Sequence, residues 1–269
     1  RFGIKNNDKI KVVFNSVTDN PDSAAKRQAK MTAEKIKIVF AGGSAASKSP
    51  DVVVPIVNEL CKSNLPFEFY WLGITTPPLK KFQPFKDIRL ILPNDERVIV
   101  TGLIPQQQAA EIIASCNVFL APSRREGFPM ALLEAMRIGC IPIVSDFRIA
   151  NQEIIRDGIN GFIISHKDIK SFVDRLSDII ENHANYKNVY EASYKTFVEE
   201  LSLPVWRKCI YSIISRGALY HKQRRVMKKY AYKAVVNRFK LLDKYNLIEN
   251  YMTEVLPCAI KFYKYYKNK

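Results

Sequence analysis

Short apolar runs rich in β-branched residues alternate along this chain with longer stretches of helical composition, and glycine-bearing turns close several of the runs. With 47% hydrophobic residues in 269, that alternation predicts an α/β domain on a parallel sheet, because parallel strands need a helical crossover between them. Charge supplies the third observation. Of a formal net charge of +16, residues 201–269 hold sixteen Lys and Arg against three acids. The body is therefore nearly neutral, and a basic tail of helical composition is predicted at the C-terminal end.

Taken in order, residues 9–14 alternate like a strand and run into Asn15, Ser16 and Val17. Residues 23–34 read as a polar connection with helical composition. Residues 35–41 form the first strand of the sheet, and Gly42, Gly43 and Ser44 open a loop ending on Lys48, Ser49 and Pro50. A glycine loop lets backbone approach a phosphate closely, and a lysine at its end adds a point charge. Many strand-to-helix turns share those residues, so the loop alone is a weak signal. Ser49 and Pro50 fit the N-cap and first residue of a helix through Cys61. Residues 67–73 are the next strand, 75–94 a Pro-rich basic loop, 97–101 a strand leading to Gly102 and Leu103, and 106–115 a helix.

Residues 118–145 read VFLAPSRREGFPMALLEAMRIGCIPIVS. An apolar strand (118–121), a polar loop (122–128), a helix opened by Pro129 and stopped near Gly139, and a second apolar strand (141–145) make one parallel crossover unit. Two carboxylates flank the start of the helix, Glu126 before it and Glu134 inside it. Free N–H groups at a helix start favour a phosphate there, so one acid is placed to bind sugar hydroxyls and the other ribose hydroxyls. Two glutamates eight positions apart carry little by themselves. Glu134, however, stands among apolar neighbours, where a carboxylate is costly unless hydrogen-bonded.

Residues 151–157 read as a short helix, 157–161 as a turn whose Gly158, Asn160 and Gly161 suit positive φ, and 162–165 as a strand. Residues 167–183 form an amphipathic helix, with Ile169, Phe172, Val173, Leu176, Ile179 and Ile180 at helical spacing. Residues 186–269 are helical in composition, with Pro204 as a break and Gly217 as a weaker one. Cations mixed with Tyr and Phe there suit an anionic membrane surface, and equally a tail packed on an N-terminal domain with its charges solvated; they suit nucleic acid less well.

No apolar run approaches the roughly 20 residues that span a bilayer, and the start lacks the apolar segment of a secretory signal. Five scattered cysteines without C-x-x-C spacing suit a reducing, cytoplasmic compartment and argue against a zinc site or disulfide framework. Three dispersed histidines argue against a metal centre, and no D-x-D triplet occurs.

Ser123, Glu126, Gly127, Phe128, Glu134, Ala135, Met136 and Gly139 resemble, in order, the signature of the large family four of retaining glycosyltransferases, which have the two-domain GT-B fold. Residues 153–161 resemble the family's E-I-I-x-D-G-x-N-G pattern, and the likeness runs from about residue 10 to 183. It implies that the chain is the Rossmann-like C-terminal half of a GT-B fold: 1–22 a linker from an absent N-terminal domain, 23–185 the nucleotide-sugar-binding domain, and 186–269 the basic tail. The family's G-R-L-x-x-x-K-G loop, whose Arg and Lys bind the donor diphosphate, places Lys48 on the Lys and Gly43 on the Arg, so one phosphate ligand is replaced. Arg124 or Arg125 could supply that charge, although both also read as solvated loop residues.

By the same resemblance, Glu126 contacts the donor sugar as the catalytic residue and Glu134 the ribose. Gly43, Lys48, Gly127, Phe128, Pro129 and Met130 line the donor site, and Gly102 and Leu103 lie against the nucleotide base. The implied reaction moves a sugar from a nucleotide-sugar to an acceptor hydroxyl with retention, in glycan or polysaccharide synthesis, with no metal and no further cofactor. A glycan or lipid-linked acceptor, an N-terminal domain and an anionic membrane surface are the partners expected. The alternatives are a nucleotide-sugar-binding module acting with a partner chain and a GT-B-fold epimerase.

Overall fold

The computed structural model describes residues 13–18, 28, 30, 32–73, 92–125, 128–146 and 151–219. Most of the basic tail (220–269), the greater part of the Pro-rich loop (74–91), and Glu126 and Gly127 lie outside the described residues. The chain divides into two units, 1–210 and 211–269. Of the second, Tyr211 to Leu219 is described, as helix.

Six strands form one parallel sheet: β1 Ile36–Ala41, β2 Phe67–Leu72, β3 Val98–Gly102, β4 Val118–Ala121, β5 Ile141–Ser145 and β6 Phe162–Ile164. Their order is β3-β2-β1-β4-β5-β6. Parallel pairing is explicit in the register, Ile36 opposite Phe67 and Val118 opposite Ile141. β4 and β5 are buried at every position, which is why they read as continuous apolar runs rather than alternating ones.

The helices are α1 Pro50–Cys61, α2 Gln106–Ser115, α3 Met130–Met136, α4 Asn151–Ile154, α5 Ile169–Glu181, α6 Lys187–Thr196 and α7 Leu203–Leu219. Alternation along β1 divides the core in two. Ile36, Ile38 and Phe40 face Val53 and Val57 of α1 and Phe172 and Leu176 of α5. Val39 belongs to the opposite layer, with Ile113 of α2, Leu132, Leu133 and Met136 of α3, and Phe197 and Leu201. The core therefore continues past residue 185, through Val189, Tyr190, Phe197 and Leu201.

Several local expectations are corrected. α4 ends at Ile154 rather than near 157, because Asn160 captures the chain, donating from Nδ2 to the Ile154 carbonyl at 3.0 Å and accepting from the Arg156 N–H at 2.7 Å. Of the turn residues expected at positive φ, Gly158 alone adopts it. Gly161 is needed for space instead, since a Cβ there would lie 2.5 Å from Pro142 Cγ. The break expected at Pro204 is present, with Ser202 extended between a helical turn ending at Leu201 and α7, whereas α7 runs through Gly217 without the weaker break expected there.

The segment before the domain is docked on it. Phe14 stacks on Phe128 with ring centroids 5.8 Å apart, Val17 bridges Ser202, and Arg137 Nη1 donates to the Thr18 carbonyl at 3.0 Å. Four described cysteines, Cys61, Cys116, Cys140 and Cys209, are free thiols.

Candidate functional site

Because all six strands are parallel, the loops after their C-terminal ends share one edge of the sheet. The chain lays β2 and β3 to one side of β1, then crosses back to place β4 on the other side. In open α/β sheets the crevice at such a reversal is where ligands bind. Here it lies between the ends of β1 and β4.

The loop after β1 is fixed from below. Gly43 donates its N–H to the Leu72 carbonyl at 3.0 Å, and its own carbonyl accepts from Trp71 Nε1 at 3.0 Å. Its φ is +54°, and a Cβ would lie 2.5 Å from the Gly73 carbonyl oxygen. No larger residue fits there without moving backbone. A short 3₁₀ turn, Ala46–Lys48, carries the lysine to the end of the loop.

Ser49 occupies the N-cap position of α1 without capping it. Its φ is +61°, and its buried hydroxyl lies 2.9 Å from His166 Nε2. Pro50 is the first helical residue, as expected. His166 is itself buried, and its backbone N–H donates to Asp146 Oδ1 at 2.9 Å. Burial, assisted by the charge of Arg124, holds the imidazole below its usual pKa, with Asp51 and Asp146 opposing.

The loop after β4 is sewn to the loop after β1. Arg124 and Arg125 donate their backbone N–H groups to the Ser47 carbonyl, at 2.8 and 3.3 Å. The Arg124 guanidinium pairs with Asp51 in the first turn of α1. From β5, Ser145 Oγ donates to the Ser123 carbonyl at 2.6 Å. Between these loops lies a small hollow, lined by Ala41, Lys48, Ala121, Ser123, Pro129 and Ala131 over the core residues Phe40, Phe119 and Leu120.

Lys48, Pro129 and Ser123 thus line the same hollow. Pro129 stands just before α3 as its N-cap rather than inside its first turn, and its carbonyl accepts from the Leu132 N–H at 3.0 Å. Met130, the first residue of α3, is exposed. Phe128 stacks on Phe14 and packs against the core.

Glu134 is half-buried one turn into α3, and burial raises its carboxyl above the ordinary range, with Arg137 acting against the shift. Gly102 and Leu103 lie at the end of β3, at the edge of the sheet. The Gly102 carbonyl accepts from the Gly73 N–H at 3.0 Å, and Leu103 is 73% exposed. Glu126 and Gly127 lie outside the described residues. Among the described residues, no three His, Cys, Asp or Glu side chains converge as metal ligands would, and no helix is long and apolar enough to cross a membrane.

Sequence reasoning missed the Ser49–His166 and Arg124–Asp51 pairs. Their members are 117 and 73 positions apart, and no local pattern links them.

Comparison with known proteins agrees with this architecture. Over 125 residues the chain is 30% identical to a lipopolysaccharide 1,6-galactosyltransferase of Salmonella typhimurium, covering 45% of this chain and 35% of that protein. It is 24% identical over 176 residues to an uncharacterized glycosyltransferase of Methanocaldococcus jannaschii, covering 65% of this chain and 46% of that protein. The chain spans between about a third and a half of the length of such relatives. Among solved structures, Anabaena Alr3699/HepE in complex with UDP-glucose superposes with a TM-score of 0.61 at 16% identity, covering 77% of this chain and 57% of that one. The C-terminal domain of a glycosyl transferase group 1 family protein from Francisella tularensis superposes with a TM-score of 0.58 at 19% identity, covering 72% of this chain and 100% of that one. The family model of glycosyl transferases group 1 matches residues 22–196, and the chain therefore belongs to that family.

Proposed function

We propose that this chain is the donor-binding, C-terminal half of a retaining glycosyltransferase with the GT-B fold. It binds a nucleotide-sugar and passes the sugar to a hydroxyl of a glycan or lipid-linked acceptor in polysaccharide synthesis. The observation that carries the reading is the meeting of Lys48, Ser123 and Pro129 in one cleft at the reversal between β1 and β4.

The leaving group is a nucleoside diphosphate, whose charge grows as the bond to the sugar breaks, so fixed cations and N–H donors beside it lower the barrier. Lys48 is the cation of the β1 loop. α3 has only seven residues, so its dipole contributes less than that of a long helix, and the lysine carries the larger share. Glu126 orients the sugar, Glu134 binds the ribose, and Gly102 and Leu103 lie beside the base. The acceptor and any general base belong to an N-terminal domain. The basic residues of 201–269 hold the assembly to an anionic membrane surface on its cytoplasmic side.

The test is donor turnover with the N-terminal half supplied, with the product's anomeric configuration read by NMR. Transfer with the donor's configuration preserved is expected. An inverted product, or release of an epimerised nucleotide-sugar, would contradict the proposal.

A further inference from the structure

A diphosphate held by Lys48 alone is short of positive charge, because the other cationic position of the loop is Gly43. The backbone there excludes an arginine: φ is +54°, and a side chain would begin 2.5 Å from the Gly73 carbonyl oxygen. A second cation must come from another element, if the site has one.

Two arginines follow β4, and the structure separates them. Both place their backbone N–H groups on the Ser47 carbonyl, so both start beside the residue that precedes Lys48. The Arg125 side chain is exposed. Arg124 is half-buried, and its Nη2 donates to Asp51 Oδ2. Its neighbour Ser123 lines the cleft together with Lys48. Asp51 lies in the first turn of α1, two residues after Ser49, so the guanidinium is held where the β1 loop enters that helix.

We propose that Arg124 is the second cation of the diphosphate site, supplied by the loop after β4 in place of the arginine that position 43 cannot hold. The inference rests on the proposed donor site and adds a ligand to it. A guanidinium has five N–H donors in a planar fork matched to phosphate oxygens. The hydrogen bond to Asp51 Oδ2 occupies one of them and fixes the direction of the fork. The pairing also limits the motion that would be lost on binding, so less affinity is sacrificed to ordering the side chain. Asp51 is then a positioning residue. It sits in the first turn of α1, where a carboxylate is favoured by the helix dipole.

The experiment is a calorimetric titration of the full chain with UDP, GDP and ADP, and then with the monophosphate and nucleoside of whichever base binds. The variants are Arg124→Ala, Arg124→Lys and Arg125→Ala. Arg124→Ala is expected to weaken the diphosphate by about tenfold to a hundredfold, the range of a lost charge-assisted hydrogen bond, and to leave the nucleoside unchanged. Arg124→Lys should fall between, since an ammonium keeps the charge but not the fork. Arg125→Ala should match the parent chain.

Equal loss for diphosphate and nucleoside would overturn the inference, because it would mark Arg124 as a support of the loop rather than a phosphate ligand. So would loss in Arg125→Ala with none in Arg124→Ala. Either result leaves the donor site itself standing. A parent chain that binds no diphosphate would overturn both this inference and the function on which it rests. Thermal unfolding of each variant checks its fold, and Arg124→Lys keeps the test informative if Arg124→Ala proves unstable.

Discussion

At the residue scale, Gly43, Glu134 and His166 make different demands on the fold. Gly43 is held at positive φ with backbone on its Cβ side, so restoring the arginine of the family pattern should harm the chain rather than improve it. Gly43→Arg is expected to cost about 2 kcal/mol or more, from left-handed backbone alone at the lower bound, and chemical denaturation reads the loss directly. Glu134 has its carboxyl raised by burial. A raised acid contributes its stability below the ordinary value, about 4.3, and loses it as pH rises through the folded value. Glu134→Gln should therefore flatten the loss of stability with rising pH while weakening nucleotide binding about tenfold; a variant with the parent's pH profile would contradict the first half. His166 behaves in the reverse sense. Its depressed pKa means that its contribution is present above about 6.5 and is lost as pH falls through the folded value. An NMR titration of its imidazole should give a value below 6.5, and one at or above it would refute the burial argument.

At the element scale, the sheet and most of its helices were legible because their signals are local. β4 and β5 are continuous apolar runs, and α5 keeps its apolar residues at helical spacing, with Asp168 capping it through the Ser171 N–H at 3.0 Å. The pairing of elements was not legible, because it rests on residues distant in sequence. Arg97, which looks like an ordinary surface cation before β3, shows this. It donates to the carbonyls of Ser63, Leu65 and Cys61 at 2.8 to 3.1 Å and pairs with Asp95 at 2.6 Å. Its guanidinium also lies 4.6 Å from the Phe67 ring centroid. One side chain thus clamps the end of α1 to the starts of β2 and β3, and the Asp95 carboxyl is driven well below the usual carboxylate range by the same guanidinium. Arg97→Ala should cost about 2–4 kcal/mol, because it strands three carbonyls and a partly buried carboxylate. Equilibrium unfolding of the variant measures it, and a loss below about 0.5 kcal/mol would reduce the clamp to a surface ion pair.

At the scale of the whole molecule, the sequence motif and the topology supply different parts of the proposed donor site. The motif gave residue types without a geometry, and the strand order gave a crevice without a chemistry. Lys48 and Ser123 line one hollow at the β1–β4 reversal, where the proposal puts the two together. The charge asymmetry is a second whole-molecule property, since the basic excess lies almost entirely beyond residue 200. Vesicles containing anionic lipid should therefore retain the full chain at low salt and release it as salt rises, while a chain ending at 200 should not bind them. Retention of the shortened chain would remove the tail from the account.

The most direct test of the central claim is a calorimetric titration of the full chain with UDP, GDP and ADP beside the Lys48→Ala and Glu134→Ala variants. One diphosphate is expected to bind the parent chain, and both substitutions to weaken it, Lys48→Ala through the phosphates and Glu134→Ala through the ribose. Binding that neither substitution disturbs would place the nucleotide elsewhere and contradict the site described at the end of β1 and β4.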